Sequence, residues 1–248
     1  MAQLRSAARS SPSPQGTDVS QFAGSQLARL GMAFVVLTWG GAIWLGAAPG
    51  GFALATGGYA LGLGLTLTLF RRGFPHPTLG ACNMVTLARL ALTAALLAPL
   101  ASGPAPPMAM FTLAMIALSL DGLDGWLARR AAWVSGFGAR FDMEVDSGLA
   151  LLLALNAWAA GMAGPAVLLL GLPRYLFAAA LLMFPWADRP LPDRFSRKAV
   201  CVAQIAGLMA LQLPLFSGIP AQMIVAAVSV ALIWSFGRDV VWLWRTRA

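Results

Sequence analysis

The chain has 248 residues, of which 59% are hydrophobic and only 10% charged, with a mean hydropathy of +0.75. Soluble domains carry about a quarter of charged residues, so the composition excludes an ordinary soluble domain and points to a polytopic membrane protein. The formal net charge is +8, and every basic residue except Lys198 and the lone His76 is arginine; these charges fall in short connectors between apolar runs, which excludes a nucleic-acid surface and follows the membrane orientation rule.

Residues 1–24 are rich in Ser, Ala, Gln, Gly and Pro without an apolar face, and a disordered cytosolic tail is expected there. The first basic residues lead into a polar run, so no cleaved signal peptide is expected. Two Gly-rich spans follow, about Leu27 to Ala48 and about Phe52 to Phe70, forming an extension over 25–72 whose glycines favour close helix contact in lipid. Arg71, Arg72, Pro75, His76 and Pro77 mark a connector outside the hydrocarbon, with His76 read as solvated. From there a core over 73–248 is expected to hold six more spans. They run from Asn83 to about Leu100, from near Met108 to Arg130, from near Gly138 to Ala160, from Ala166 to Phe184, from Ala199 to Phe216 and from Ile219 to Trp234. Trp242, Trp244, Arg245 and Arg247 then serve as interfacial anchors. Cys82 and Cys201 lie far apart in or beside apolar runs and read as packing residues, not as a disulfide or zinc site.

Sorting the charges by side supports this all-α arrangement of eight spans. The tail, the 71–77 connector, the 129–140 turn, the 187–198 loop and the C-terminus carry nearly all the Arg and Lys, whereas the loops near 49, 103, 163 and 218 carry none. The basic side is then cytosolic, both termini lie inside, and the span count is even.

Against this apolar background, the stretch from Asp121 to Asp146 holds Asp121, Asp124, Asp142, Glu144 and Asp146. Asp121 and Asp124 are spaced i, i+3 and Asp142 and Asp146 i, i+4, so each pair shares a helix face. Asp121 comes roughly 20 Å along its helix from the uncharged side, which puts both pairs below the surface and nearer the cytosolic face. Four carboxylates in a low-dielectric site call for compensation by a hard divalent cation with oxygen ligands, magnesium or manganese in preference to zinc. Gly125 and Gly138 allow a bulky group to approach the backbone, and Arg129 would bring a bidentate phosphate donor to the same rim. Glu144, two residues from either neighbour, points off the shared face and reads as a solvated or structural charge.

These residues spell D-x-x-D-G-x-x-A-R-x8-G-x-x-x-D-x-x-x-D, met at Asp121, Asp124, Gly125, Ala128, Arg129, Gly138, Asp142 and Asp146. The pattern resembles the signature of the CDP-alcohol phosphatidyltransferases. The resemblance implies a six-helix membrane core, a homodimer, and displacement of CMP from a CDP-linked substrate by an alcohol. It further implies two metal ions bound by Asp121, Asp124 and Asp142 with help from Asp146, Asp146 as general base, and a CDP pocket lined by Gly125, Ala128, Arg129 and Gly138. Asn83, Thr86 and Arg89 are similar to the N-x-x-T-x-x-R opening of the first core helix in bacterial members, near the nucleotide. Arg174 falls where phosphatidylglycerophosphate synthases carry an arginine facing the acceptor phosphate, and Lys198 with Gln204 is similar to their K-x-K-T-x-x-Q segment. Tyr175, Val200 and Cys201 depart from those patterns.

The resulting expectation is phosphatidyl transfer from CDP-diacylglycerol to a small polar alcohol, glycerol 3-phosphate favoured, in a bacterial-type cytoplasmic membrane. Transfer from a CDP-alcohol to diacylglycerol is the alternative within the same chemistry, and a divalent-cation transporter is the alternative from another class. Apart from the resemblance, Arg174 near mid-membrane should face the bundle interior and meet an anion, while Lys198 at the start of a span could equally snorkel to the interface.

Overall fold

The computed structural model describes residues 14–71, 74–130, 135–184 and 194–246, with the side chains of 14–21, Asp124, Trp126, Ala128 and Arg129 outside the description. The described chain is all helical: α1 (Pro14–Trp44), α2 (Pro49–Arg71), α3 (Gly80–Ala95), α4 (Ala98–Ser102), α5 (Pro107–Arg130), α6 (Gly136–Ala159), α7 (Leu168–Gly171), α8 (Pro173–Met183), α9 (Phe195–Ala210) and α10 (Ile219–Arg245). It is a polytopic membrane architecture.

Helix α1 begins at Pro14, so 14–24 of the expected tail are helical. Proline suits the first helical turn, where its missing N–H is not needed. Further on, Ala23 and Leu27 are buried with Phe70 and Phe74, so packing holds this part of α1. His76, read as solvated, sits partly buried with its ring edge-on to Phe74.

Counting α3 with α4 and α7 with α8, the helices make eight passages. Four are long and apolar enough to cross a membrane, Phe22–Trp44, Pro49–Arg71, Gly80–Ser102 and Ile219–Arg245, and the bent pair Pro165–Gly171 with Pro173–Met183 is a fifth candidate. The expectation of eight is therefore met by length and composition only in part. Among the described residues α5 contributes a shorter apolar stretch, Pro107–Leu123, α6 carries charged groups of the site, and α9 has 16 residues.

Two expected straight spans are broken. After α3, the Leu96 and Leu97 amides bond back three residues and tighten the turn before Pro99. The Asn156 side chain of α6 donates to the Leu96 carbonyl at 2.8 Å and so satisfies the break. Between α7 and α8 the axis bends by 66° at Pro173, which lacks the amide a continuous helix needs. Gln204 of α9 donates to the Leu170 carbonyl beside this bend, at 2.5 Å. The last helix, in contrast, runs past Trp234 to Arg245, with Ser235, Asp239 and Leu243 as a buried stripe at i, i+4 spacing.

Helix α3 is the hub of the bundle, packed by α1, α2, α5 and α6. Small residues let the backbones close: a Cβ on Gly51 of α2 would meet the Ala98 carbonyl at 2.6 Å, and one on Gly171 of α7 would meet the Leu151 Cα of α6 at 2.9 Å.

Candidate active site

The charged groups expected on α5 and α6 meet around a residue from α3. Arg89 is fully buried, and its Nη1 lies 3.0 Å from Asp121 Oδ1 and 2.5 Å from Asp142 Oδ1, while Nη2 pairs with Asp146 Oδ1. Its Nε donates to the Ala117 carbonyl of α5 at 3.2 Å, which fixes the plane of the guanidinium. The three carboxylates remain 35%, 40% and 44% exposed. A buried guanidinium at their base and solvent at their tips make an acidic cup.

One guanidinium against three carboxylates leaves negative charge in excess, and repulsion among the acids is relieved by a cation. Asp121, Asp142 and Asp146 each offer an oxygen, and these oxygens lie within 4.8 Å of one another. An all-oxygen donor set of this kind fits a hard divalent ion. Among the described residues no His or Cys joins the group. Asp124 lies one turn after Asp121 on α5, and its side chain, like those of Ala128 and Arg129, lies outside the described residues.

At the start of α6, the Ser135 hydroxyl accepts from the Gly138 amide at 3.0 Å and caps the helix. Gly138 is close-packed on the α3 side: a Cβ there would lie 3.2 Å from both Asn83 Oδ1 and Ser135 Oγ. Asn83 and Thr86 are buried and bond to their own helix, Asn83 Nδ2 to the Leu79 carbonyl at 2.6 Å and Thr86 Oγ1 to the Cys82 carbonyl at 3.1 Å. Gly125 is partly buried one turn after Asp121. The structure thus brings Asn83, Gly138 and the three acids to one end of the bundle.

The cup opens into a cavity of about 410 Å³ walled by α6, α8, α9 and α10. Asp142 and Asp146 line it together with Arg174, Arg197 and Asp239. Arg174, because of the bend at Pro173, stands on the first turn of a new helix and not midway along a straight span. Its Nη2 pairs with Glu144 Oε1 at 2.5 Å, so its anion is none of the three triad carboxylates, and Glu144 gains a definite partner. Lys198 is exposed and is not part of the cavity wall, whereas its neighbour Arg197 is.

Sequence reasoning passed over Arg194, Arg197 and Asp239. Asp239 is 5% exposed, with Oδ2 at 3.1 Å from Arg197 Nε and Oδ1 at 3.7 Å from Arg194 Nη1. A signal existed: Asp239 is the only acid after residue 193, and it falls in a run apolar enough to continue the last helix.

A family model described as CDP-alcohol phosphatidyltransferase matches residues 79–235. The match takes in α3 to most of α10 and the whole of the Asp121 to Asp146 signature, and leaves α1 and α2 outside. No curated protein and no solved structure gives a significant match to the chain. Family match, signature and acidic cup coincide on the same residues, and the chain therefore belongs to the CDP-alcohol phosphatidyltransferase family, enzymes that transfer a phosphate-linked group from a CDP-linked substrate to an alcohol and release CMP.

Proposed function

We propose that this enzyme transfers a phosphatidyl group from CDP-diacylglycerol to a small polar alcohol carrying a phosphate, glycerol 3-phosphate being favoured. The observation that carries this reading is the cavity itself, which Asp142 and Asp146 of α6 line together with Arg174 of α8 and Arg197 of α9. The acids suit metal-bound pyrophosphate, and the guanidiniums suit an anionic acceptor.

Two magnesium or manganese ions held by Asp121, Asp124, Asp142 and Asp146 would, when bound, neutralise the pyrophosphate and stabilise departing CMP. Asn83, Thr86, Gly125, Ala128, Arg129 and Gly138 bind the CDP moiety. Arg89 holds Asp146 through Oδ1, leaving its other oxygen to take the proton of the acceptor hydroxyl. The hydroxyl oxygen attacks the phosphorus that bears the diacylglycerol, the bond from that phosphorus to CMP breaks, and CMP leaves as the anion. Arg174 and Arg197 orient the acceptor by its phosphate, and Lys198, exposed on α9, attracts acceptor from solution.

On this reading the site opens to the cytosol, as the positive-inside rule requires, in a bacterial cytoplasmic membrane, and the enzyme works as a homodimer. The test is CMP release from CDP-diacylglycerol with glycerol 3-phosphate, serine, inositol phosphate and choline as acceptors. Saturable release with phosphorylated acceptors is expected. Release only with the unphosphorylated acceptors would overturn the phosphorylated-acceptor assignment, and release only from a CDP-alcohol with diacylglycerol would replace the reaction by the reverse use of the same chemistry.

A further inference from the structure

The helices outside the family match touch the site at its nucleotide end. The first amides of a helix have no partner within it, and Leu79, the cap residue of α3, offers no side-chain cap. Gln26 of α1 fills this place, its Oε1 accepting from the Leu79 amide at 3.2 Å. The Leu79 carbonyl in turn accepts from Asn83, whose Oδ1 lies against Gly138. A continuous line of contacts thus leads from α1 through the start of α3 to the start of α6.

A second contact holds the same end. Phe70, in the last turn of α2, stacks on Phe74 with ring centres 4.7 Å apart, and both meet Phe137 edge-on at 5.5 and 5.3 Å. Phe137 directly precedes Gly138 on α6. The α1–α2 hairpin therefore braces the first turns of both helices whose residues close on one another at Asn83 and Gly138.

We infer that the α1–α2 hairpin sets the spacing of the nucleotide site, with Gln26 as a positioning residue acting through Leu79 and Asn83. This rests on the assignment of Asn83 and Gly138 to the CDP pocket. The base Asp146 stands about two turns beyond Gly138 on α6, and the acceptor wall is on α8 to α10, so the hairpin acts on donor binding and leaves the acceptor side unchanged.

The test uses the full chain with Gln26→Met, which keeps the length of the side chain and removes its accepting oxygen. Loss of one such bond is expected to raise the KM for CDP-diacylglycerol about three- to tenfold, with kcat and the acceptor KM unchanged. Gln26→Glu, which keeps an accepting oxygen, restores the donor KM. Tyr59→Phe, which removes a 2.7 Å bond to the Gly31 carbonyl within the hairpin, leaves it at the wild-type value. Equilibrium binding of CDP to wild type and Gln26→Met reads the same effect without turnover, so failure of the wild type to release CMP would count against the proposed reaction and not against this role. An unchanged donor KM and CDP affinity in Gln26→Met, an equal defect in Gln26→Glu or Tyr59→Phe, or a fall in kcat and melting temperature alone would overturn it.

Discussion

Among the described residues, three carboxylates gather on the single guanidinium of Arg89, whereas two guanidiniums, Arg194 and Arg197, gather on the single carboxylate of Asp239. The two clusters are mirror images in charge. Each buries its minority partner, Arg89 or Asp239, and Asp142 and Asp146 of the first cluster and Arg197 and Asp239 of the second line the cavity. Burial of an unpaired charge is strongly unfavourable, so the buried partner anchors each cluster. On the proposed reading the acidic cluster takes a cation and the basic one the anionic acceptor.

The contrast is broken most severely from the acidic side. Asp142→Asn removes one carboxylate from the cup, and CMP release is expected to fall about 10³-fold or more, the several kcal/mol that metal-borne charge supplies. Release at near wild-type rate in a metal-dependent assay would remove Asp142 from the reaction. Asp146→Asn is expected to lower kcat by about 10²- to 10⁴-fold, the range for a lost general base, while manganese binding followed by electron paramagnetic resonance persists. If that variant turned over normally with its metal sites filled, the base would have to be sought elsewhere.

Anchors should behave differently from ligands. Arg89→Met leaves three acids without their buried counter-charge, and the protein in detergent is expected to lose about 3–5 kcal/mol of stability. Divalent cation should recover part of the melting temperature, because a metal replaces some of the missing positive charge. A metal-independent melting temperature in Arg89→Met would mean that the cup holds no cation. On the basic side, Arg197→Gln should raise the KM for a phosphorylated acceptor about 10- to 100-fold, as for a lost charge-assisted bond of about 1.5–3 kcal/mol, with the donor KM unchanged. The smallest effect is expected away from both clusters, at Gly171, where α7 lies on α6 beneath the cavity. Gly171→Ala would place a Cβ 2.9 Å from Leu151 Cα and cost about 1–3 kcal/mol by overpacking, read as a lower melting temperature.

Much of the acidic cluster could be read from the chain because its spacing is local. Asp121 is fixed on its helix by the apolar run before it, and Asp142 and Asp146 share a face at i, i+4 whatever the helix packs against. The basic cluster could not be read in this way. Arg197 and Lys198 are adjacent, and a step of one residue turns a helix by about 100°, so only the seat of α9 against α10 decides which of them reaches the cavity. Arg174 depended on the bend at Pro173, and its partner Glu144 lies on the face of α6 that the triad does not use.

An all-α membrane chain, the place of the acid-rich hairpin and the family signature are written in the order of residues alone, since composition, hydropathy and near-neighbour helical spacing are carried by consecutive residues. Helix packing is what puts Arg89 at the centre of the acids, gathers Arg194 and Arg197 on Asp239, and brings Gln26 to cap the helix carrying Asn83. Each of those contacts joins residues more than 40 positions apart or on different helices, and depends on the rotation and depth at which whole helices pack.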